Sequence, residues 1–365
     1  MKNILLSVAV AGSAVLLASS ANVVENPDYE LRLTNAVTPT RVVRTDSATL
    51  IGFHAIARPN TWIKIDSTAV LVDRSTGERY EPVATEGLTM NELFWMPESG
   101  EKDFTVIYPP LPNESKAVDY EDGSWRIFGL RLDGEKAVKA NTVDLKQWER
   151  DNHKPYPGQP DRFFNRDTTT ITGLINGYDQ RTGIHNLLVY YDDPITGSSI
   201  PYYVPVADDG TFSVSFPVES PGYIALSGLK TLWLKYYVEP GRRLDIALDW
   251  EDLLEGDLKR NIGDYNHVTH TCFGGELGDI NRQLADAPRP VYINIQTMSH
   301  HLTPAEAKSK LAENNDNYRA AIDKYMEETD LHQIAKRLLD NRVKCDLAKN
   351  ILDYTMYRKG NVSQD

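Results

Sequence analysis

Thr168-Thr169-Thr170-Ile171-Thr172-Gly173-Leu174-Ile175 opens the stretch that decides the fold. Most of its side chains are β-branched, which favours a pleated surface over a helix. Six further runs of this kind precede the helical tail: Asn186–Tyr191, Ile200–Val206, Thr211–Val218, Gly222–Leu226, Leu232–Glu239 and Arg243–Trp250. Asp208-Asp209-Gly210-Thr211 joins two of them as a tight turn, with glycine supplying the positive φ. The spacing of its acids does not match a calcium loop. Short strands punctuated by glycine and proline predict a sandwich rather than βαβ units.

The same pattern recurs upstream. Leu50–Ile56, Thr61–Asp66, Ala69–Val72, Phe104–Tyr108 and Trp125–Leu130 read as strands, and Arg74-Ser75-Thr76-Gly77 as a turn. Residues 145–167 read as a polar, proline-rich connector, with Phe163-Phe164 expected to lie on a neighbouring domain. After Trp250 the period changes to that of a helix. Leu277, Ile280 and Leu284 share a helical face. Thr303-Pro304-Ala305-Glu306 is a capping box with proline at the first helical position. A last helix is expected from about Leu331 to Tyr357. The fold expected is mainly β with a C-terminal α segment. It comprises two β-sandwich-like units (Ig-like or carboxypeptidase-regulatory-like) at 22–144 and 168–250, the connector between them, and helices over 251–365.

Residues 1–21 carry an address. Met1-Lys2-Asn3 is a short basic start, Ile4–Leu17 an unbroken run of apolar and small residues, and Ser19-Ser20-Ala21 a small-residue cleavage site. This is a signal peptide, too short for a comfortable membrane span, and it implies export to the periplasm. Its removal leaves 344 residues with 38 basic against 52 acidic side chains, a net of −14. Such acidity argues against nucleic acid as a partner, because phosphate neutralisation supplies most of that affinity. It also argues against an anionic membrane surface. No second long apolar run and no cysteine near the cleavage point are present, so no membrane anchor is expected.

Candidate sites are few. Tyr190-Tyr191, Tyr202-Tyr203 and Tyr236-Tyr237 are adjacent pairs on three strands. Side chains alternate faces along a strand, so each pair sends one ring in and one out. If the strands neighbour one another, the outer rings form a strip able to stack on a sugar or a partner. The alternative is that tyrosine is simply a good strand residue. Cys272 and Cys345 are the only cysteines. The exported compartment would permit a disulfide, closing a loop of about 70 residues worth roughly 4 kcal/mol. Against that, Leu331, Leu338, Cys345 and Leu352 recur every seven residues and place Cys345 on an apolar helix stripe as a buried thiol. His267, His270 and Cys272, with His300-His301, lack the spacing of a structural zinc site, and His54 stands alone in its strand. No G-x-S-x-G, H-E-x-x-H or phosphate-cradling loop occurs. No metal, cofactor or catalytic residue is assigned.

Four passages in order carry a resemblance. Phe94-Trp95-Met96-Pro97-Glu98-Ser99-Gly100, Pro109-Pro110-Leu111-Pro112, Tyr237-Val238-Glu239-Pro240-Gly241 and Phe273-Gly274-Gly275-Glu276-Leu277-Gly278-Asp279-Ile280-Asn281 resemble the N-terminal portion of exported TlpA-type thioredoxin-like proteins. In that family a thioredoxin domain with a W-C-x-x-C motif follows and does the redox work. This chain reaches Asp365 without that motif, so no catalytic residue carries over. The resemblance implies a non-enzymatic accessory or binding module. The alternative is a fragment of a periplasmic thiol-disulfide oxidoreductase lacking its thioredoxin domain. A third reading, resting on the tyrosines, is a glycan-binding sandwich protein. The partner is thus an unidentified protein or glycan. N-terminal sequencing of the chain from a periplasmic fraction should begin at or near Asn22, and an intact Met1 would contradict the export signal.

Overall fold

The computed structural model describes residues 22–362 except Ser124, residues 160–161 and 194–195, and Asn266. The signal segment lies outside the described residues. The chain forms two compact units, the first ending at Val138 and the second beginning at Lys139. It is mainly β, with helices at the C-terminus.

The first unit holds twelve strands among its described residues: β1 (Asn22–Glu25), β2 (Leu31–Arg32), β3 (Val37–Arg44), β4 (Thr49–Ile56), β5 (Trp62–Ile63), β6 (Val70–Asp73), β7 (Arg79–Tyr80), β8 (Ala84–Glu86), β9 (Phe94–Trp95), β10 (Glu101–Tyr108), β11 (Ala117–Asp122) and β12 (Trp125–Arg131). Two five-stranded sheets run β1-β3-β4-β10-β8 and β2-β12-β11-β6-β7. β4 buries every second residue, Thr49, Ile51, Phe53 and Ala55, as a half-covered strand must. Opposite them stand Leu71, Val118, Tyr120 and Ile127 from the second sheet, in one core. Phe53 and Tyr120 meet across it at 4.9 Å between ring centroids.

The second unit begins with a correction. The stretch read as a connector starts as helix α1 (Leu145–Asn152), whose first turn is capped by the Asp144 carboxylate accepting from Lys146 and Gln147 N–H. It buries none of its own residues, so no apolar period marks it in sequence. It is held by polar bonds, Gly275 N–H to the Asn152 carbonyl and Phe273 N–H to Glu149. Phe163 and Phe164 stand exposed against each other, ring centroids 4.9 Å apart.

Seven strands follow where they were expected: β13 (Asp167–Asn176), β14 (Asn186–Asp192), β15 (Ser199–Pro205), β16 (Thr211–Val218), β17 (Gly222–Leu229), β18 (Leu232–Val238) and β19 (Arg243–Asp249). An eighth, β20 (Thr271–Gly274), comes from a stretch that read as helical. The sheets are β16-β13-β19-β20 and β15-β14-β17-β18. All pairings are antiparallel except β13 with β19. The Asp208–Thr211 turn forms, with Gly210 at φ 80°. It hands the chain from one sheet to the other, so its flanks meet only at the Val206–Phe212 bridge. Between the sheets Phe216 stacks on Tyr202, centroids 4.7 Å apart.

Helices complete this unit: α2 (Trp250–Ile262), α3 (Gly278–Asp286), α4 (Ile295–His301), α5 (Pro304–Glu328) and α6 (Gln333–Val362). The capping box at Thr303 and Glu306 is present, with Pro304 at the start of α5. Leu277, Ile280 and Leu284 are buried together. In α6 the buried positions are Ile334, Ala335, Leu339, Val343 and Tyr354. The seven-residue series expected to be buried holds only at its start, where Leu331 is buried and Leu338 half-buried. Its members Cys345 and Leu352 are exposed, because a straight α-helix of 3.6 residues per turn drifts off a seven-residue repeat.

One buried acid in the first unit sets a pH dependence. Asp122 is 7% exposed, and burial, then the nearby Asp66 carboxylate, pushes its pKa up to about 6. In the unfolded chain the group titrates near 3.9. Between those values the folded state holds a proton that the unfolded state releases. Stability therefore falls as pH rises from about 4 to about 6, and the full penalty remains above 6. Asp122→Asn should raise the calorimetric Tm by a few degrees at pH 7.5, and its advantage should shrink by pH 5. Equal melting of variant and parent at pH 7.5 would refute this.

Candidate binding site

The outer face of the β15-β14-β17-β18 sheet carries the aromatic side chains. Register fixes which rings share it. Tyr190 lies opposite Pro201 and Ala225, Ala225 opposite Lys235, and Leu188 opposite Tyr203 and Ser227. Tyr203 is therefore the diagonal neighbour of Tyr190 on the same face. Ala225 and Ser227 are small, which leaves room above β17. Across that gap Tyr190 stacks on Trp233, centroids 5.2 Å apart and planes 30° from parallel. Trp233 is 52% exposed, Tyr203 76% and Tyr223 39%.

The three tyrosine pairs divide as alternation requires, with one exception at the surface. Tyr191 is buried beside Phe216, and Tyr202 is half-buried on the same ring. Tyr190 and Tyr203 face out. In the third pair both rings are buried. Tyr236 is an inner residue, its hydroxyl 3.0 Å from the Thr271 hydroxyl. Tyr237 belongs to the outer face by register, opposite Tyr223, yet its hydroxyl donates to the fully buried Glu239 carboxylate at 2.8 Å. Tyr156 donates to both oxygens of the same carboxylate at 3.1 Å. Burial and the negative charge of Glu239 push both phenols well above their ordinary pKa. Trp233 takes the place expected of the third tyrosine. Its only signal in sequence is the apolar-aromatic-apolar run Leu232-Trp233-Leu234 at the head of a strand.

The motif Phe273–Asn281 proves architectural. Gly275 takes φ 71°, where an added Cβ would meet the Arg243 carbonyl at 2.7 Å. Asn281 then presents its amide to the edge of β18. Its Oδ1 accepts from Tyr237 N–H at 2.8 Å, and its Nδ2 donates to the Tyr237 carbonyl at 2.9 Å.

Cys272 and Cys345 are free thiols. Cys272 is half-buried, and burial, then the Glu149 carboxylate, pushes its thiol up. Among the described residues no group of three or more His, Cys, Asp or Glu side chains is placed to hold a metal. His270 donates its backbone N–H to Asp252. His54, expected to stand alone, has Nδ1 2.7 Å from Asp103 Oδ1 on the neighbouring strand. No helix among the described residues is long and apolar enough to cross a membrane.

No protein-family model and no curated protein matches this chain. Among solved structures the matches are slight. A pullulanase from Anoxybacillus sp. LM18-11 aligns at 11% identity and a TM-score of 0.20, over 53% of this chain and 24% of that enzyme. Type I pullulanase from Bacillus subtilis str. 168, complexed with maltose, aligns at 9% and 0.20, over 58% and 24%. The Bacillus acidopullulyticus pullulanase aligns at 9% and 0.18, over 57% and 35%. At these scores the likeness bears on neither fold nor function.

The two thiols differ in reactivity. A thiolate is the attacking species, and Cys272 is both shielded and harder to ionise. Brief iodoacetamide treatment at pH 7.5 should label Cys345 at least ~10-fold faster than Cys272 by mass spectrometry. The reverse order would contradict the burial of Cys272.

Proposed function

We propose that this chain is an exported, non-enzymatic binding module, and that the outer face of its second unit's β15-β14-β17-β18 sheet is the surface that meets a glycan. One observation carries the reading: the exposed Trp233–Tyr190 stack, extended diagonally by Tyr203. Large rings held in place by stacking on each other lose little entropy on binding and offer apolar faces with polar edges. Exposed apolar area of this kind is uncommon on a soluble protein unless something uses it. A pyranose ring presents an apolar C–H face of matching size. The resemblance to the N-terminal part of TlpA-type proteins accords with the same role, an accessory region that presents a substrate or partner to a redox domain. The separate free thiols, one shielded with a raised pKa, support the absence of disulfide reductase chemistry in this chain itself.

A glycan array followed by calorimetric titration tests the reading. Each of Tyr203→Ala, Tyr190→Ala and Trp233→Ala should weaken binding of the best neutral oligosaccharide by about 10-fold, since one ring contact is worth on the order of 1.4 kcal/mol. Circular dichroism should show the variants folded. No binding across the array, or binding indifferent to all three changes, would overturn it.

A further inference from the structure

β18 is the last strand of its sheet. In an antiparallel pair, alternate residues turn their N–H and C=O toward the partner strand and away from it. Tyr237 turns both groups away from β17, because both are bonded to Asn281. Lys235 and Trp233, two and four residues earlier, share that orientation. No hydrogen bond to their outward-facing backbone groups occurs among the described residues. The edge is therefore closed at Tyr237 by a side-chain amide that pairs as a strand would, and left open at the next two positions.

That open edge borders a cleft of about 1090 Å³ within the second unit, lined by Trp233 through Tyr237 on one side and by residues of α6 on another. Among the described residues the cleft is lined by five Lys and Arg side chains and four Asp, in a protein whose net charge is −13. Lys235, Arg260, Arg289 and Arg342 all line it. None of the four forms an ion pair with a carboxylate among the described residues. Arg289 and Arg342 stand near enough to repel each other, and Arg342 donates to the Leu284 carbonyl at 3.4 Å. The four acids are Asp192, Asp264, Asp346 and Asp353; Asp353 is held by Lys349 and Asp346 by Asn350.

We infer that the β18 edge is a docking site for an acidic peptide segment, which adds as a strand beside Trp233–Lys235 and lays its carboxylates against Arg289 and Arg342. Strand addition derives affinity from main-chain hydrogen bonds and selectivity from side chains on either side. An unpaired edge is the template it needs. The charges select the occupant. A second copy of this chain pairing edge to edge would set Lys235 near its own counterpart, and like charges across a pair are destabilising. An acidic strand meets the opposite sign. This site shares Trp233 with the glycan face, while Tyr190 and Tyr203 do not line the cleft.

The probe is a fluorescein-labelled (Glu-Val)4 peptide, titrated against the chain from Asn22 onward. Fluorescence anisotropy should show binding that weakens with salt, and a (Lys-Val)4 peptide should not bind. The pair Arg289→Glu, Arg342→Glu should weaken it at least ~10-fold. Because Arg342 also bonds the Leu284 carbonyl, the exposed single changes Lys235→Glu and Arg260→Glu serve beside it and should each weaken binding. Tyr203→Ala should leave peptide binding unchanged, which separates this result from the fate of the glycan reading. Amide exchange at Trp233 and Lys235 should slow on saturation with peptide. Failure to bind, or binding without that protection, overturns the proposal. So does displacement of the peptide by tetragalacturonate with no protection, which would make the cleft a site for acidic glycans. Protection of the same amides by self-association alone would assign the edge to a second copy and overturn it equally.

Discussion

The second unit depends on one buried carboxylate. Glu239 sits where β18 ends and the chain turns into β19, and none of it reaches solvent. An unpaired charge there would be costly enough to unfold the turn. It is met by two phenol hydroxyls and by Arg242, whose Nε lies 4.0 Å away, with Arg337 of α6 adding favourable charge. The backbone carbonyl of Glu239 accepts from the Thr169 hydroxyl of β13, which also bonds the Arg242 carbonyl. One residue thus ties the last strand of one sheet, the central strands of the other and the helical layer. The cost of burying Glu239 is also why Tyr237 is absent from the aromatic face. Its hydroxyl is committed to the carboxylate.

That arrangement explains what could and could not be read from residue order. The seven strands of 168–250 were legible because their β-branched runs are separated by turn residues whose geometry is local. The buried faces of α3 and the capping box of α5 were legible for the same reason. Helix α1 was not, since it buries no apolar side chain and is held by Asn152 and Glu149 reaching a partner more than 120 residues away. Strand β20 was hidden because four residues ending in Phe273-Gly274 carry too little period to separate a strand from a helix start.

The binding face was half legible. Alternation correctly sends Tyr190 and Tyr203 to one side of the sheet and Tyr191 and Tyr202 to the other. It cannot tell that Glu239 recruits Tyr237, or that Ala225 leaves the space through which Trp233 reaches Tyr190. Both facts depend on β17 lying between β14 and β18, an order that no local pattern encodes. Cys345 illustrates the converse error. A seven-residue recurrence predicts a buried stripe through Cys345, whereas α6 buries Ala335, Leu339 and Val343, four residues apart.

The parallel pairing of β13 with β19 bears on how the molecule comes to exist. Thr172 and Asp245 are joined across 73 residues, and five intervening strands are complete before the pair can close. Bringing such ends together costs about 4 kcal/mol of chain entropy before any contact is rewarded. Hairpins such as β17–β18 form in microseconds, while non-local strand pairing belongs to the slow end of folding. During synthesis the first strand of this unit therefore waits, with the edge opposite β16 unpaired, until β19 has been made. A chain built this way has its order of assembly written into its topology, with local hairpins first and the central sheet last.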